Sequence, residues 1–184
     1  MDQILEKLFE SPEKVRILRL FLQNMEQAFT LTDVAHRTKT KPQKTRGELV
    51  KLVSIGLIKR RKDQYGINSE FALLAELKEL VINASFASRK KLIQRIRGLG
   101  RIKLAVIAGT FLNNETSRTD LLIVGDDVKK RRIETFLSTV ESELGKPVRY
   151  TLMDTDEYKY RINMYDRFLK DIQEFEHEKL INKR

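Results

Sequence analysis

Three helix-opening signals within the first 42 residues, followed by a glycine stop and a hairpin pattern, constrain this chain more than any other feature. Ser11-Pro12 pairs a capping hydroxyl with a proline whose missing N–H costs nothing in a first turn. After it, Val15, Ile17, Leu18, Leu20, Phe21 and Leu22 form a broad helical stripe over 13–24. Thr30 and Asp33 have the spacing of a capping box, with Asp in place of Glu, and open a short helix in TLTDVAHRT. A third helix is expected in TKPQKTRGELVKLVSIGL, capped by Thr40, with Pro42 in its first turn and Leu49, Leu52, Val53 and Ile55 on its buried side. Gly56 is its expected C-terminal stop. LIKRRKDQYGIN then reads as two short strands around a polar turn near Lys62-Asp63-Gln64.

Charge singles out the same stretch. Residues 1–100 hold 20 Lys and Arg against 11 Asp and Glu, a net of +9, whereas residues 101–184 hold 16 against 15. Between 36 and 62 there are ten basic residues and one acid, Glu48. Cations gathered on one short segment are the footprint of a polyanion-binding surface. Three helices and a hairpin make the order of a winged helix-turn-helix. In that arrangement Lys41, Gln43, Lys44, Thr45 and Arg46 open the helix that enters a major groove, with Gln suited to adenine and Lys or Arg to guanine. Gln43, Lys44 and Arg46 are favoured over Thr45 for base contact. Lys39 and the run Lys59, Arg60, Arg61, Lys62 are assigned to phosphate or minor-groove contact.

The rest of the chain alternates strands and helices. Helical pattern runs from Ser69 to about Gly98, in FALLAELKELVINA and SRKKLIQRIRGLG. KLAVIAG and TDLLIVG read as buried strands, VKKRRIETFLSTVESELG as a helix ending at Gly145, and PVRYTLM as a third strand. Residues 154–184 read as helical. The expected class is α+β, with a winged-helix domain over 1–85 and a small mixed α/β domain over 86–184.

Residues 109–126, GTFLNNETSRTDLLIVGD, resemble the glycine-serine to Asp-x-Asp segment of the minimal nucleotidyltransferases. Aligned without gaps, Gly109 and Thr110 stand at the Gly-Ser pair, and Ser117 and Asp120 match the later motif. Arg118 stands where the first metal-binding Asp belongs. Asn113 and Asn114 replace the usual Arg and second Gly. Acids at i and i+2 of a strand share a face and can share divalent ions, so a cation at 118 opposes metal there and is positioned to pair with Asp120. PVRYTLM carries no third acid. With the first half, the pattern resembles a family of prokaryotic, largely archaeal, transcriptional regulators. The stretch DTDEY and the residues Asp166, Phe168 and Leu169 echo that family further along the chain.

The resemblance implies a DNA-binding regulator whose second domain has the transferase fold without transfer chemistry, serving oligomerisation, partner docking or nucleotide sensing. Gly109, Thr110, Ser117, Arg118 and Asp120 would be the remnant of a nucleotide site. The expected partners are double-stranded DNA and a second copy of the chain, with the helices at 71–82 and 158–175 as candidate interfaces. A nucleotide or a protein is the candidate partner of the second domain. Two other readings remain: an active transferase drawing carboxylates from Asp126, Asp127 or Asp154, and one half of a toxin–antitoxin pair. No catalytic residue, cofactor or metal is expected. There are no cysteines and only two histidines, His36 and His177, which leaves no thiolate or histidine-rich metal site. MDQILEKLFE lacks the pattern of a signal peptide, and no apolar run is long enough for a bilayer, so a cytoplasmic, membrane-free protein is expected.

Overall fold

In the computed structural model, which describes residues 2–83, 89–112, 114 and 117–183, local capping bonds set the first helices. After α1 (Asp2–Leu8), Ser11 Oγ accepts the N–H of Lys14 at 3.0 Å and opens α2 (Pro12–Gln23). All six stripe residues of α2 are buried. Thr30 and Asp33 exchange both bonds of a capping box at the start of α3 (Leu31–Thr38). α4 (Pro42–Ser54) begins differently from expectation. Its N-cap is Lys41, without a side-chain bond, because the Thr40 hydroxyl is turned inward and donates to the Thr38 carbonyl.

Gly56 closes α4. Its φ of +79° lets its N–H reach the Val53 carbonyl while the Leu57 N–H reaches Leu52, the paired bonds of a Schellman motif. Leu49 and Leu52 are buried as expected, but Ile55 is 60% exposed, since the helix has already ended at that residue. β2 (Ile58–Arg61) and β3 (Gln64–Ile67) form the hairpin around Lys62 and Asp63. A further strand, β1 (Ala28–Thr30), pairs with β3 and completes an antiparallel sheet of order β1-β3-β2. Phe21, Phe29, Val34, Leu49, Leu57, Ile58 and Tyr65 share one core, in which the Phe21 and Phe29 rings meet edge to face at 5.6 Å. Burying each such side chain contributes about 1.5–3 kcal/mol.

The chain divides into two compact units, Met1–Ser88 with Thr139–Pro147, and Arg89–Ser138 with Val148–Arg184. The expected boundary between Ser85 and Phe86 lies outside the described residues. α5 (Leu74–Asn83) belongs to the first unit, burying Leu74, Val81 and Ile82.

The second unit opens with α6 (Arg89–Arg97) and contains a four-stranded mixed sheet of order β6-β5-β4-β7. β4 (Arg101–Ile107) and β5 (Leu121–Asp126) run antiparallel, and β5 pairs in parallel with β6 (Tyr150–Met153). β6 is shorter than the expected 147–153. α7 (Lys130–Leu144) connects β5 to β6, its residues from Thr139 on being counted with the first unit. Leu104, Val106, Leu122 and Val124 share one face of the sheet and pack with Leu169 and Ile172 of α9 (Arg167–Glu174). Between β6 and α9 lies α8 (Thr155–Asn163), capped by Asp154.

The expectation of an all-helical tail over 154–184 is overturned by β7 (Glu178–Asn182), which pairs antiparallel with β4. Only Ile181 of that strand is buried, and its first two residues, Glu178 and Lys179, are charged, so no apolar alternation marks it. Backbone pairing with the open edge of β4 decides its conformation. The architecture is α+β. Among the described residues, no helix is long and apolar enough to cross a membrane.

Candidate nucleic-acid interface and the Asp120 turn

Around α4, Thr45, Leu49 and Leu52 face the core, Glu48 and Val53 are partly buried beside them, and the opposite side is open. Thr45 is fully buried and its hydroxyl donates to the Lys41 carbonyl. Lys41, Gln43, Lys44 and Arg46 are exposed. Successive helix positions turn by about 100°, so Arg46 stands within about 60° of Gln43, whereas Lys44 is turned about 100° the other way. There its ammonium meets the Glu13 carboxylate of α2 at 2.7 Å. That hydrogen bond, reinforced by the charge of Arg16, holds the Glu13 carboxyl below its ordinary range. Gln43, Lys44 and Arg46 therefore do not form one face. Gln43 and Arg46 share the outward side, and Lys44 is tethered at its flank. Glu48, nearly buried, lies 3.2 Å from Lys51 and 3.6 Å from Lys14.

The hairpin carries its cations on both sides. Lys59 to Lys62 are all exposed. Lys59 pairs with Glu70 at 2.7 Å, and Arg60 lies over the Tyr65 ring while donating to the Lys62 carbonyl. Lys62 takes the left-handed φ of +56° at the turn. Lys39 also adopts a left-handed φ, +51°, where the chain leaves α3, and its ammonium reaches the Thr139 hydroxyl at 3.2 Å. Among the described residues, the side chains of Lys41, Gln43, Arg46, Arg61 and Lys62 make no hydrogen bond or ion pair. Arg37 is spent over the Phe29 ring, 5.0 Å from its centre, and His36 is exposed.

In the second unit, the Gly-Thr pair and Asp120 do come together. Gly109 and Thr110 begin a tight 3-10 turn after β4, and the Thr110 N–H donates to Asp120 Oδ1 at 2.7 Å. Gly109 has φ +52°, and a Cβ there would collide with the Asp120 carboxylate. The Ala108 N–H is held by the Asp120 carbonyl. The other partner of Asp120 is Arg149, absent from the sequence-based set. Its guanidinium reaches Oδ1 at 3.0 Å and Oδ2 at 3.1 Å, and its backbone N–H donates to Oδ2 at 2.8 Å. Burial pushes the Asp120 carboxyl up, but the Arg149 side chain and the two N–H donors outweigh it and hold it below the ordinary carboxylate range. Arg149 stands just before β6, in the stretch PVRYTLM that carries no acid, and nothing local in the sequence singles it out.

Arg118 pairs not with Asp120 but with Asp171, at 3.0 Å. It sits two residues before Asp120, yet the chain there is irregular rather than strand, so the two side chains do not share a face. Ser117 is buried and its hydroxyl donates to the Thr119 carbonyl. Asn114 donates its N–H to the Gly109 carbonyl, and Asn113 lies outside the described residues. The structure thus unites Gly109, Thr110 and Asp120, and separates Ser117 and Arg118 from them.

The other acids are engaged elsewhere. Asp126 accepts the Thr155 N–H and hydroxyl, bonds that lower its carboxyl pKa. Asp127 pairs with Arg101 at 2.8 Å, and Asp154 caps α8. Asp126 ends the strand that Asp120 precedes, about 20 Å away at strand rise. Among the described residues, no three His, Cys, Asp or Glu side chains converge. The donor set does not fit the divalent ion of active transferases, because both Asp120 oxygens are already held by a guanidinium and backbone N–H groups.

Of the candidate interface helices, α5 exposes Leu80, while around α8 and α9 Tyr160, Met164, Tyr165 and Phe175 are exposed. No protein-family model, curated protein or solved structure matches the chain.

Proposed function

We propose that this chain is a DNA-binding transcriptional regulator. Its first unit is read as a winged helix-turn-helix, and its second as a minimal-nucleotidyltransferase-like domain without transfer chemistry. The observation that carries the reading is the outward set Lys41, Gln43, Arg46, Arg61 and Lys62. These polar and cationic side chains have no internal partner among the described residues, on elements in the order α3, α4, β2, β3. α4 enters the major groove, α3 crosses the backbone, and the β2–β3 turn meets phosphate or the adjacent minor groove. The cations supply affinity and register, and the amide of Gln43 supplies sequence.

Loss of transfer chemistry in the second unit is supported by the saturation of Asp120. The unit then serves docking or pairing, with the exposed Tyr160, Met164 and Tyr165 as the candidate surface for a second copy, which would give a symmetric dimer on an inverted repeat.

The test is selection of duplexes from a random pool by the whole chain at fixed salt, followed by titration of the enriched duplex over a salt series. Enrichment of one sequence, with affinity falling steeply as salt rises, supports the reading. No enrichment, or equal binding to every duplex, overturns it. Incubation with labelled ATP and magnesium tests the second unit: transfer that Asp120→Asn abolishes would restore the enzyme reading.

A further inference from the structure

The middle of the outward face of α4 is occupied by residues that do little for the fold. At about 100° per residue, Gln43, Gly47, Val50 and Ser54 fall within about 60° of one another, opposite Thr45, Leu49 and Leu52. Arg46 flanks this stripe on one side, and Lys44 and Lys51 on the other. Gly47 is a mid-helix glycine, unfavourable against alanine, and nothing lies within 4 Å of where its Cβ would be. No internal packing requires the missing side chain. Val50 is β-branched and 60% exposed. An exposed valine alone is unremarkable for any surface. A glycine without an internal reason and an apolar side chain, one turn apart and bordered by cations, fit an external polyanion with apolar groups at its centre. The DNA major groove is such a surface, because the thymine methyl group lies on its floor.

We propose that Gln43, Gly47 and Val50 form the base-reading stripe, an inference that rests on the DNA-binding reading above. Gly47 sets the closest approach of the helix to the groove floor. The Gln43 amide pairs with adenine, and the Val50 methyls pack on the C5 methyl of a thymine. Seven residues span about 10.5 Å of helix axis, close to three base steps. The half-site is accordingly expected to hold an adenine and a thymine about three base pairs apart, in the order set by the direction of α4.

The test uses the whole chain and the duplex it enriches from a random pool. Each thymine is replaced singly by deoxyuridine, which removes the methyl and nothing else. At one thymine the native chain should lose about fourfold in affinity, the worth of one buried methyl. Val50→Ala should lose a similar factor on the thymine duplex and lose nothing further on the uracil duplex. An enriched duplex in which no uracil matters, or a uracil penalty that Val50→Ala retains in full, overturns this inference and leaves DNA binding standing. No enrichment at all overturns both. Gly47→Ala gives a second measurement. It should raise the melting temperature by about 2–8 °C while weakening binding at least threefold, a rough figure for one methyl group forced against the groove. A raised melting temperature with unchanged affinity would remove Gly47 from the stripe.

Discussion

Among the described residues, Arg46, Arg61 and Lys62 in the first unit stand in solvent without an internal partner, whereas Asp120 in the second is buried beneath two backbone N–H groups and the Arg149 guanidinium. The two regions handle charge in opposite ways. An exposed cation keeps its hydration and costs the fold little, and its whole interaction is available to a polyanion. A buried carboxylate must be fully paired to be tolerated, and the pairing uses the lone pairs that a metal ion would need. Arg46, Arg61 and Lys62 keep their charge in solvent, whereas the Asp120 turn closes its charge within the fold. Glu13 and Lys44 fall between the two, paired but near the surface.

The strongest way to break this comparison is Asp120→Ala. It leaves two part-buried N–H donors without their acceptor, while the half-exposed Arg149 guanidinium can turn to water, so destabilisation of the second unit by about 2–4 kcal/mol is expected. Hydrogen exchange should report it as lost protection in β4 and β5, with α2 to α4 unaffected. Undisturbed β5 amides would mean that Asp120 is not a keystone of the turn. Gly109→Ala attacks the same turn from the other side. A left-handed backbone and the collision with the carboxylate should together cost at least about 2 kcal/mol, measurable by urea denaturation.

Acid should produce a smaller, graded version of the same effect. The folded Asp120 carboxyl titrates below its unfolded value of about 3.9. Its contribution is present above that pH and is lost as pH falls through the lower folded value. Protection of β5 should therefore decline below about pH 4, and Asp120→Asn should lack that decline.

In the first unit the expected signs reverse: binding changes and stability does not. Replacing Arg61 and Lys62 together by Ala should reduce the salt slope of DNA binding by about 1.8 and leave stability within about 0.5 kcal/mol. A large fall in melting temperature would show that these cations belong to the fold. Glu13→Gln should have the smallest effect on stability, under about 1 kcal/mol. By releasing Lys44 it should steepen the salt slope by about 0.9, and an unchanged slope would leave Lys44 outside the interface.

How much could be read in advance follows from how far each interaction reaches along the chain. The Ser11 cap, the Thr30–Asp33 box and the Gly56 stop each close within five residues, so residue identity and spacing were enough to find them. The burial of Thr45 and the outward placing of Gln43 and Arg46 follow from helix periodicity once the buried stripe is known. The inward turn of Thr40 and the early end of α4 that exposes Ile55 were beyond that reach. Each depends on one or two bonds competing at a helix end.

The sequence by itself determined the starts of α2 and α3, the hairpin and the gathering of cations, because these are set by neighbours and by composition. Tertiary structure alone decided that Arg149 and not Arg118 binds Asp120, that Lys44 turns to Glu13, and that Glu178–Asn182 joins the sheet. These partners lie 29 residues or more apart. A cation has the same charge wherever the chain carries it, and a strand edge accepts many sequences. Which acid or which edge each one meets is chosen only when the cores fold and bring distant segments within a few ångströms.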